Sequence, residues 1–241
     1  MINNIETSIT KEYRKTIFKP FIRAINDFSL IEENDKIAVC ISGGKDSFLM
    51  SKCLEELKRH NKVNFELVNI LMDPGYDDKH LKDIQEVSSK LNIKLHIFKS
   101  NIFNEIAESN NKCYLCARKR RGYLYNEALK LGCNKIALGH HFYDVIETFL
   151  LSLIFNGKQD IMKPILDSTN YKGMKLIRPL YYVREENIIS WAKTNNLKFI
   201  DCACTVTKNS TSKRIEMRQL IKYINTINKD GDKNILNSLL K

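Results

Sequence analysis

The sequence predicts an α/β protein with a Rossmann-like, doubly wound parallel sheet and a helical segment at its N-terminus. The first supporting observation is that short apolar runs alternate, after Asp35, with longer stretches of helical periodicity. The second is a glycine-rich turn directly after the first apolar run, where doubly wound folds bind ligands. Because strands and helices alternate, we expect right-handed crossovers between parallel strands.

Each expected element follows from a local pattern. Apolar runs of strand length predict strands at Lys36–Ile41, Phe65–Leu71, Ile93–Phe98, Ile136–Leu138, Leu176–Ile177 and Lys198–Ile200. Apolar residues at helical spacing predict helices at Phe48–Arg59, His80–Leu91, Tyr114–Leu131, Tyr143–Phe155, Arg184–Thr194 and from Ser212 onward. The stretch from Asn156 to Gly173 is rich in turn residues and carries no predicted element.

The N-terminal segment has the pattern of a basic amphipathic helix. Its apolar residues recur near helical period, and Lys11, Lys15, Lys19 and Arg23 recur every four residues. Pro20 is expected to kink or interrupt this helix. The basic stripe is either a solvated face or a surface that contacts RNA. We therefore predict an N-terminal helical appendage over residues 1–30 and a single domain over residues 31–241.

Composition limits the class of protein. The chain has 241 residues, of which 43% are hydrophobic, which is enough for a buried core. It has 39 basic against 28 acidic residues and a net charge of +11, which favours a polyanionic partner, although lysine-rich proteomes of AT-biased genomes show the same excess. There is no apolar run of membrane-spanning length and no apolar centre near Met1. We expect a cytoplasmic protein with no membrane partner.

The most informative motif is the run from Ser42 to Ser47, Ser-Gly-Gly-Lys-Asp-Ser, between a predicted strand and a helix. Gly43 and Gly44 allow a tight turn whose amides point at one spot, and the helix adds its positive N-terminal end. Lys45 supplies a charge, the Ser42 and Ser47 hydroxyls can donate hydrogen bonds, and Asp46 can serve Mg²⁺ or orient the loop. The spacing excludes a Walker A loop. The turn is therefore predicted to bind phosphate; the alternative is a glycine turn without ligand.

Polar residues also follow two other predicted strands. Asp73 ends the second strand, where it can contact a nucleotide or cap a turn. Gly139, His140 and His141 follow the fourth strand, and Asp144 opens the next helix. A glycine and two histidines at the carboxyl end of a strand are unusual for packing alone, so this segment is a candidate part of the same site.

Four of the seven cysteines are paired in sequence, as Cys113-x-x-Cys116 and Cys202-x-Cys204. A CxxC pair lets two thiolates meet one metal, and the arginines after Cys116 favour the thiolate form. Structural zinc, a redox dithiol, an iron–sulfur cluster and free thiols all fit these residues. Zinc is slightly favoured by the residues alone, because four cysteines can close a site. An odd number of cysteines argues against a full set of disulfides and for a reducing compartment.

The hexapeptide at Ser42–Ser47 resembles the PP-loop signature of the N-type ATP pyrophosphatases. From Ile25 to Arg218 the chain resembles the tRNA 2-thiocytidine synthetases, the TtcA family. The ordered matches are Phe28-Ser29-Leu30-Ile31-Glu32-Glu33, the PP-loop, Cys113 to Gly122, Gly139 to Thr148, Gly157-Lys158, Ile177-Arg178-Pro179-Leu180 and Cys202. The chain lacks the zinc-finger cysteines of the 2-thiouridine relatives and has Cys-Ala-Cys where better-known members have Cys-x-x-Cys.

This resemblance implies a PP-loop (HUP-type) fold and an enzyme that adenylates the C2 oxygen of a cytidine in the tRNA anticodon loop and replaces it with sulfur. The implied cofactors are ATP, Mg²⁺ and a 4Fe–4S cluster. Cys113, Cys116 and Cys202 would hold the cluster and act in catalysis, with Cys204 as an alternative third ligand. Lys45, Asp46 and Asp144 would be catalytic. The implied ATP-binding residues are Ser42, Gly43, Gly44, Lys45, Asp46, Ser47, Asp73, Gly139 and His140.

The implied partners are tRNA and a sulfur donor such as a cysteine desulfurase, with a homodimer as a possible assembly. The basic run Arg118–Arg121 either grips RNA or faces water. Two other functions stay open. The first is a PP-loop ligase that makes 2-thiouridine or attaches an amine, as in lysidine synthesis. The second is a non-catalytic RNA-binding protein whose fold is stabilised by a structural zinc ion.

Overall fold

The computed structural model describes residues 4–60, 63–102, 112–200 and 207–240. Within these ranges the strands form one six-stranded sheet with the order β3-β2-β1-β4-β6-β5. The strands are β1 (Asp35–Ile41), β2 (Phe65–Asp73), β3 (Leu95–Lys99), β4 (Lys135–Ala137), β5 (Ile165–Asp167) and β6 (Lys175–Ile177). All neighbours pair in parallel except β5 and β6, which are antiparallel. The predicted α/β fold class is confirmed.

The helices flank this sheet and connect its parallel strands. They are α1 (Asn4–Thr10), a π-helix (Arg14–Phe18), α2 (Lys19–Asp27), α3 (Lys45–His60), α4 (Asp78–Lys90), α5 (Lys112–Lys130), α6 (Phe142–Asn156), α7 (Glu185–Thr194), α8 (Thr207–Ile227) and α9 (Gly231–Leu239). The chain leaves β1 towards β2 and β3 and later crosses to β4 on the other side of β1. This reversal makes the carboxyl ends of β1 and β4 the switch point, where such sheets have a ligand crevice.

Two predictions about strands were wrong. The segment Lys198–Ile200 forms no strand. Its apolar character has another cause: the ring of Phe199 lies 5.7 Å from that of Phe48 and 6.3 Å from that of Trp191, so the segment is packed against the core by its side chains. Conversely, β5 lies in the turn-rich stretch that carried no predicted element. It is a three-residue edge strand with no buried residue, so it lacks the apolar run that marks a strand.

The N-terminal helices share a hydrophobic cluster with the sheet. Ile17 and Phe21 are fully buried in the same cluster as strand β1 and helix α3. Tyr13 anchors the segment to α7, because its Oη atom lies 3.0 Å from Ser190 Oγ and 2.7 Å from Thr194 Oγ1. Pro20 lies in the first turn of α2, where a missing amide is tolerated, and the π-helix changes to an α-helix at this point while the backbone dihedral angles stay helical. No helix in the described ranges has the length and apolarity needed to span a bilayer.

Candidate functional site

The glycine turn between β1 and α3 is held in shape by a serine hydroxyl. Ser47 Oγ accepts a hydrogen bond from the Ser42 amide at 3.1 Å and donates one to the Gly44 carbonyl at 2.9 Å. Gly43 adopts a φ of +87°, a conformation that favours glycine. The turn leads into the N-terminus of α3, whose first amides have no partner within the helix. Free amides and a positive helix end together make an anion-binding site.

Gly139 allows the end of β4 to approach this turn closely. A Cβ atom at residue 139 would lie 3.0 Å from the Ser47 amide nitrogen and 3.1 Å from the Asp46 carbonyl carbon. Both are backbone atoms, so neither can move aside as a flexible side chain would. The glycine predicted from sequence therefore has a steric role: it lets the β4–α6 segment, which carries His140 and Asp144, lie against the PP-loop.

Lys45 is held by two carboxylates. Its Nζ atom donates to Glu185 Oε1 at 2.8 Å and to Asp46 Oδ2 at 3.3 Å. Burial tends to lower the pKa of Lys45, but the two carboxylates outweigh burial and raise it. The ammonium group is therefore charged at neutral pH. Glu185, the first residue of α7, had no role in the sequence interpretation, because it lies 140 positions away along the chain.

Asp46 and Asp144 differ in their surroundings. Burial raises the pKa of Asp46 despite the nearby Lys45, and Asp46 Oδ1 is buried without a hydrogen-bond partner among the described residues. Burial also acts to raise the pKa of Asp144, but His141, His140, the His141 amide and Arg214 outweigh it and lower the pKa. Asp144 Oδ2 accepts from the His141 amide at 2.9 Å, which caps α6. Asp144 is therefore an ionised carboxylate, whereas Asp46 has an oxygen available for a further partner.

The two histidines after β4 have different roles in the site. Burial lowers the pKa of His140 to about 4, so the ring is neutral at pH 7. Its Nδ1 atom then accepts a hydrogen bond from Arg178 Nε at 3.3 Å. His141 Nε2 lies 3.8 Å from Glu185 Oε1, which brings the second histidine to the carboxylate that holds Lys45.

A cavity of about 280 Å³ opens at this switch point. It brings together residues of β1, the PP-loop, β2 and the turn after it, α5 and the β4–α6 segment: Cys40, Ile41, Ser42, Asp46, Ser47, Met72, Tyr76, Arg120, Leu124, Leu138, Gly139, His140 and Asp144. We call it the PP-loop cavity. Arg120 belongs to the basic run for which the sequence left RNA contact and solvent exposure open. Its Nε atom is buried and has no hydrogen-bond partner in the part of the chain that the structure describes.

A chain of ion pairs connects this site to α8. Glu147 is fully buried on α6; its oxygens lie 3.1 Å from Arg214 Nη1 and 2.6 Å from Arg218 Nε. Arg218 Nη1 in turn lies 3.2 Å from Glu185 Oε2. Glu185 therefore contacts both Lys45 and Arg218. The i, i+4 spacing of the two arginines was visible in the sequence, but their partners on α6 and α7 were not.

Asp73 caps the turn that follows β2. Its Oδ1 atom accepts hydrogen bonds from the amides of Gly75 at 2.9 Å and Tyr76 at 2.8 Å, which corresponds to the turn-capping alternative. Asp73 does not itself line the PP-loop cavity, whereas Tyr76 does. Its predicted contact with ATP stays a prediction.

The predicted cluster ligands fall largely outside the described residues. Cys113 and Cys116 lie in the first turns of α5, whose backbone is described there, and Cys202 and Cys204 lie outside the described residues. Among the described side chains, no group of three or more potential ligands is placed to bind a metal. Cys40, Cys53 and Cys133 are buried free thiols, and burial raises the pKa of each.

Two described residues close in sequence to the cysteines pack near the PP-loop cavity or its loop. Leu115, between Cys113 and Cys116, packs in a cluster with Met72, a residue that lines the cavity. Ile200, two positions before Cys202, lies so close to the PP-loop that its Cδ1 atom would be 3.3 Å from a Cβ atom at Gly43. Both cysteine-bearing segments therefore adjoin described residues that pack at the cavity or its loop.

Comparison with known proteins adds independent findings. The model of the PP-loop domain family matches residues 9–222. The tRNA-cytidine(32) 2-sulfurtransferase of Geotalea uraniireducens is 38% identical over 222 residues, which cover 90% of this chain and 87% of that protein. The protein of the same name from Geobacter metallireducens is 37% identical over 233 residues, which cover 95% of this chain and 90% of that protein.

Among solved structures, the U34-tRNA thiolase NcsA from Methanococcus maripaludis, determined with its 4Fe–4S cluster, is similar with a TM-score of 0.74. The likeness covers 92% of this chain and 76% of that chain, at 21% sequence identity. At this identity the similarity shows that the two chains share a fold.

Proposed function

We propose that this chain, which belongs to the PP-loop family that includes the tRNA-cytidine(32) 2-sulfurtransferases, catalyses ATP-dependent thiolation of tRNA. Its substrate atom is the C2 oxygen of a cytidine in the anticodon loop. The observation that supports this most directly is the PP-loop cavity, where Asp46, Asp144 and Arg120 converge and where Asp46 lies 3.3 Å from Lys45 Nζ. The cavity combines an anion site with a carboxylate oxygen that has no partner among the described residues and an arginine whose Nε atom is buried.

The reaction needs activation because an amide-like oxygen is a poor leaving group. The C2 oxygen attacks the α-phosphorus of ATP and releases pyrophosphate. A sulfur nucleophile then attacks C2, and the oxygen leaves as part of AMP. The enzyme must therefore stabilise negative charge on the phosphates in the first step and on AMP in the second.

We assign the phosphate-binding role to the PP-loop amides, Lys45 and the α3 N-terminus. Lys45 retains its charge because its raised pKa lies far above neutral pH. Asp46 Oδ1 is the candidate ligand for Mg²⁺, since it is a buried oxygen without a partner among described residues. Asp144 is held ionised next to His141, and Arg120 is placed to balance charge as AMP leaves. The apolar residues Met72, Leu124 and Leu138 line the same cavity and suit the adenine base.

A 4Fe–4S cluster fits the donor set that the chain offers. Two thiols come from one CxxC turn at the start of α5, and the third comes from Cys202 or Cys204. Leu115 and Ile200, which are close to these cysteines in sequence, pack at the cavity and its loop. When bound, such a cluster supplies an iron with an open position for the sulfur that is transferred. A sulfur donor such as a cysteine desulfurase completes the proposed reaction.

The test is anaerobic reconstitution followed by nucleoside analysis. The purified protein is loaded with iron and sulfide and incubated with ATP, Mg²⁺, sulfide and tRNA that lacks thiolation; digested nucleosides are then analysed by mass spectrometry. We expect about four iron atoms per chain and ATP-dependent formation of 2-thiocytidine. A colourless zinc protein that binds tRNA without consuming ATP would refute the proposal, and so would an amine product or 2-thiouridine.

Cysteine variants make the test specific. Cys113→Ser and Cys116→Ser should lose both the brown colour and thiolation, whereas Cys133→Ser, at a buried thiol outside both cysteine pairs, should retain both. Comparing Cys202→Ser with Cys204→Ser identifies the third ligand, because only the variant at the ligand position should lose iron. Thiolation that is unchanged in Cys113→Ser would contradict the cluster assignment.

A further inference from the structure

A basic groove of about 480 Å³ lies between the N-terminal helices and α9, outside the PP-loop cavity. Five of its lining residues are basic: Lys15, Lys19, Arg23, Arg184 and Lys233. We call it the α2–α9 groove. None of its lining residues within the described chain is acidic. Three of the four members of the basic stripe, Lys15, Lys19 and Arg23, therefore line a concave surface and are not merely spread over a solvated helix face.

Ion pairing leaves this groove positively charged. Arg184 is neutralised by Asp232, at 2.7 and 2.9 Å, Lys233 by Asp230 at 2.6 Å and Arg23 by Asp27 at 3.1 Å. Neither Lys15 nor Lys19 has a carboxylate oxygen within 4.0 Å in the described ranges, and both side chains are exposed. One helical turn, about 6 Å, separates them along the chain. These two ammonium groups are the uncompensated charges of the groove.

Aromatic rings fix the remaining basic groups in place. The Arg23 guanidinium lies 4.6 Å from the centre of the Tyr182 ring, and that of Arg184 lies 4.5 Å from the centre of the Phe142 ring. Stacking of this kind holds the planar groups in one orientation. The rings are thus already occupied by cations, so the groove suits a backbone of phosphates better than a stacked base.

The groove is adjacent in sequence to residues of the PP-loop site in two connecting segments. Phe142 directly follows His141, and Arg184 directly precedes Glu185, the residue that holds Lys45. The Phe142 amide donates to the Val183 carbonyl at 3.0 Å, which joins the β4–α6 and β6–α7 segments at this point. An anionic chain lying in the groove would therefore run beside the edge of the sheet at which the reaction is proposed.

We infer that the α2–α9 groove binds the phosphate backbone of the tRNA substrate, with Lys15 and Lys19 as its principal contacts. This inference rests on the proposed function and assigns the surface that holds the substrate. Phosphate contacts of this kind position an RNA without reading its bases, and they make binding depend on salt. The groove thus contributes affinity and placement, while recognition of the target base belongs to the PP-loop cavity.

The test measures the affinity of full-length protein for unmodified tRNA as a function of salt. We compare the wild type with Lys15→Glu/Lys19→Glu and with a control, Lys11→Glu/Lys82→Glu. The control changes the net charge equally, at two exposed lysines outside the groove, and Lys11 belongs to the same stripe. Thermal unfolding and ATP binding are measured for each variant to confirm that it is folded.

We expect the groove variant to bind tRNA at least tenfold more weakly near 0.15 M salt. We also expect the slope of the logarithm of its association constant against the logarithm of the salt concentration to fall in magnitude by about two. Lys15→Gln/Lys19→Gln should lie between wild type and the charge reversal, and the control should stay within about twofold of wild type. Equal losses in groove variant and control would overturn the inference, since only net charge would then matter.

The remaining outcomes separate this inference from the proposed function. If wild-type protein thiolates tRNA and the groove variant binds tRNA normally, the inference fails and the function stands. A further outcome is that the groove variant binds tRNA normally and thiolates it with free sulfide, but does not thiolate it when a carrier protein delivers the sulfur. In that case the groove is a docking site for that protein and the RNA assignment is wrong. If wild-type protein neither binds nor thiolates tRNA, both fail.

Discussion

Gly139→Ala offers the sharpest test of the site geometry. The added Cβ atom would lie 3.0, 3.1 and 3.2 Å from three backbone atoms of Asp46 and Ser47. Ordinary contacts begin near 3.4 Å, so the PP-loop must shift by several tenths of an ångström. Overpacking of this kind costs about 1–3 kcal/mol. Because the Ser47 amide belongs to the phosphate-binding turn, we expect the cost to appear in ATP affinity as well as in stability.

The expected magnitudes can be measured separately. We expect the dissociation constant for ATP to rise by about 5- to 30-fold, the equivalent of about 1–2 kcal/mol. The unfolding midpoint should fall by about 2–10 °C for a chain of this size. Isothermal titration with a non-hydrolysable ATP analogue gives the first quantity, and thermal denaturation followed by circular dichroism gives the second.

Gly122→Ala is the matched control. Residue 122 lies in α5, and the one described atom that a Cβ there would meet is Tyr171 Oη at 3.7 Å, an ordinary contact. Alanine favours a helix over glycine by up to about 1 kcal/mol, so this variant should be slightly more stable and should bind ATP as the wild type does. If Gly139→Ala binds ATP with wild-type affinity, the close approach of β4 to the PP-loop does not control nucleotide binding.

Three further predictions concern buried groups. The pKa of His140, about 4, lies below its value in the unfolded chain, so the unfolded state binds more protons between pH 4 and 6.5. The free energy of unfolding should therefore rise with pH across this window by about 3 kcal/mol. Urea titrations of His140→Gln should show a smaller rise. Glu147→Gln should lower the free energy of unfolding in urea by about 2 kcal/mol, because it weakens the ion pairs of a buried carboxylate with two arginines. Glu66→Gln, at an exposed ion pair, should lower it by less than about 1 kcal/mol. Equal decreases would contradict the burial argument. Burial raises the pKa of three thiols, so these cysteines should not be alkylated by iodoacetamide in the native protein but should be alkylated in urea: Cys40, Cys53 and Cys133. Peptide mass spectrometry measures the alkylated fraction at each position.

The parts of this protein that were predicted from sequence are those encoded locally. The PP-loop is specified within six residues, because two glycines, a lysine and a capping serine define both its shape and its chemistry. The parallel strands were recognised from apolar runs bounded by turn signals, although no residue of β3 is fully buried. Strand β5 was missed because its two apolar residues lie within a stretch rich in turn residues, and Lys198–Ile200 has the apolar run without a place in the sheet.

Partners across long sequence separations could not be assigned in the same way. Glu185 and Arg218 each carry an ordinary charge in an ordinary helix, and nothing local distinguishes them from solvent-exposed neighbours. Only the fold shows that Glu185 contacts Lys45 and that Arg218 contacts Glu147. The same holds for Arg120, because which residue of a basic run points inward depends on how α5 packs against the sheet.

The direction in which a substitution at Glu185 changes ATP affinity shows whether this carboxylate mainly repels phosphate or mainly orients Lys45. Its carboxylate lies 2.8 Å from Lys45 Nζ, so phosphates that bind Lys45 would lie near the negative charge of Glu185 and be repelled by it. At a separation of about 6 Å and an effective dielectric constant of about 20 or more, that repulsion is worth about 1–3 kcal/mol. Glu185→Gln keeps the size of the side chain and one acceptor oxygen for Lys45. We therefore expect it to tighten ATP binding by about fivefold or more, measured by the same titration.

The neighbouring residue supplies the control for this change. Glu186 is 56% exposed, lies 3.6 Å from Arg184 and makes no ion pair with Lys45 among the described residues, so Glu186→Gln should leave ATP affinity unchanged. If Glu185→Gln instead weakens ATP binding, the carboxylate acts mainly by orienting Lys45 and not by repelling phosphate. In that case Arg218→Gln, which removes the second partner of Glu185, should weaken ATP binding in the same direction, because an untethered Glu185 would orient Lys45 less well.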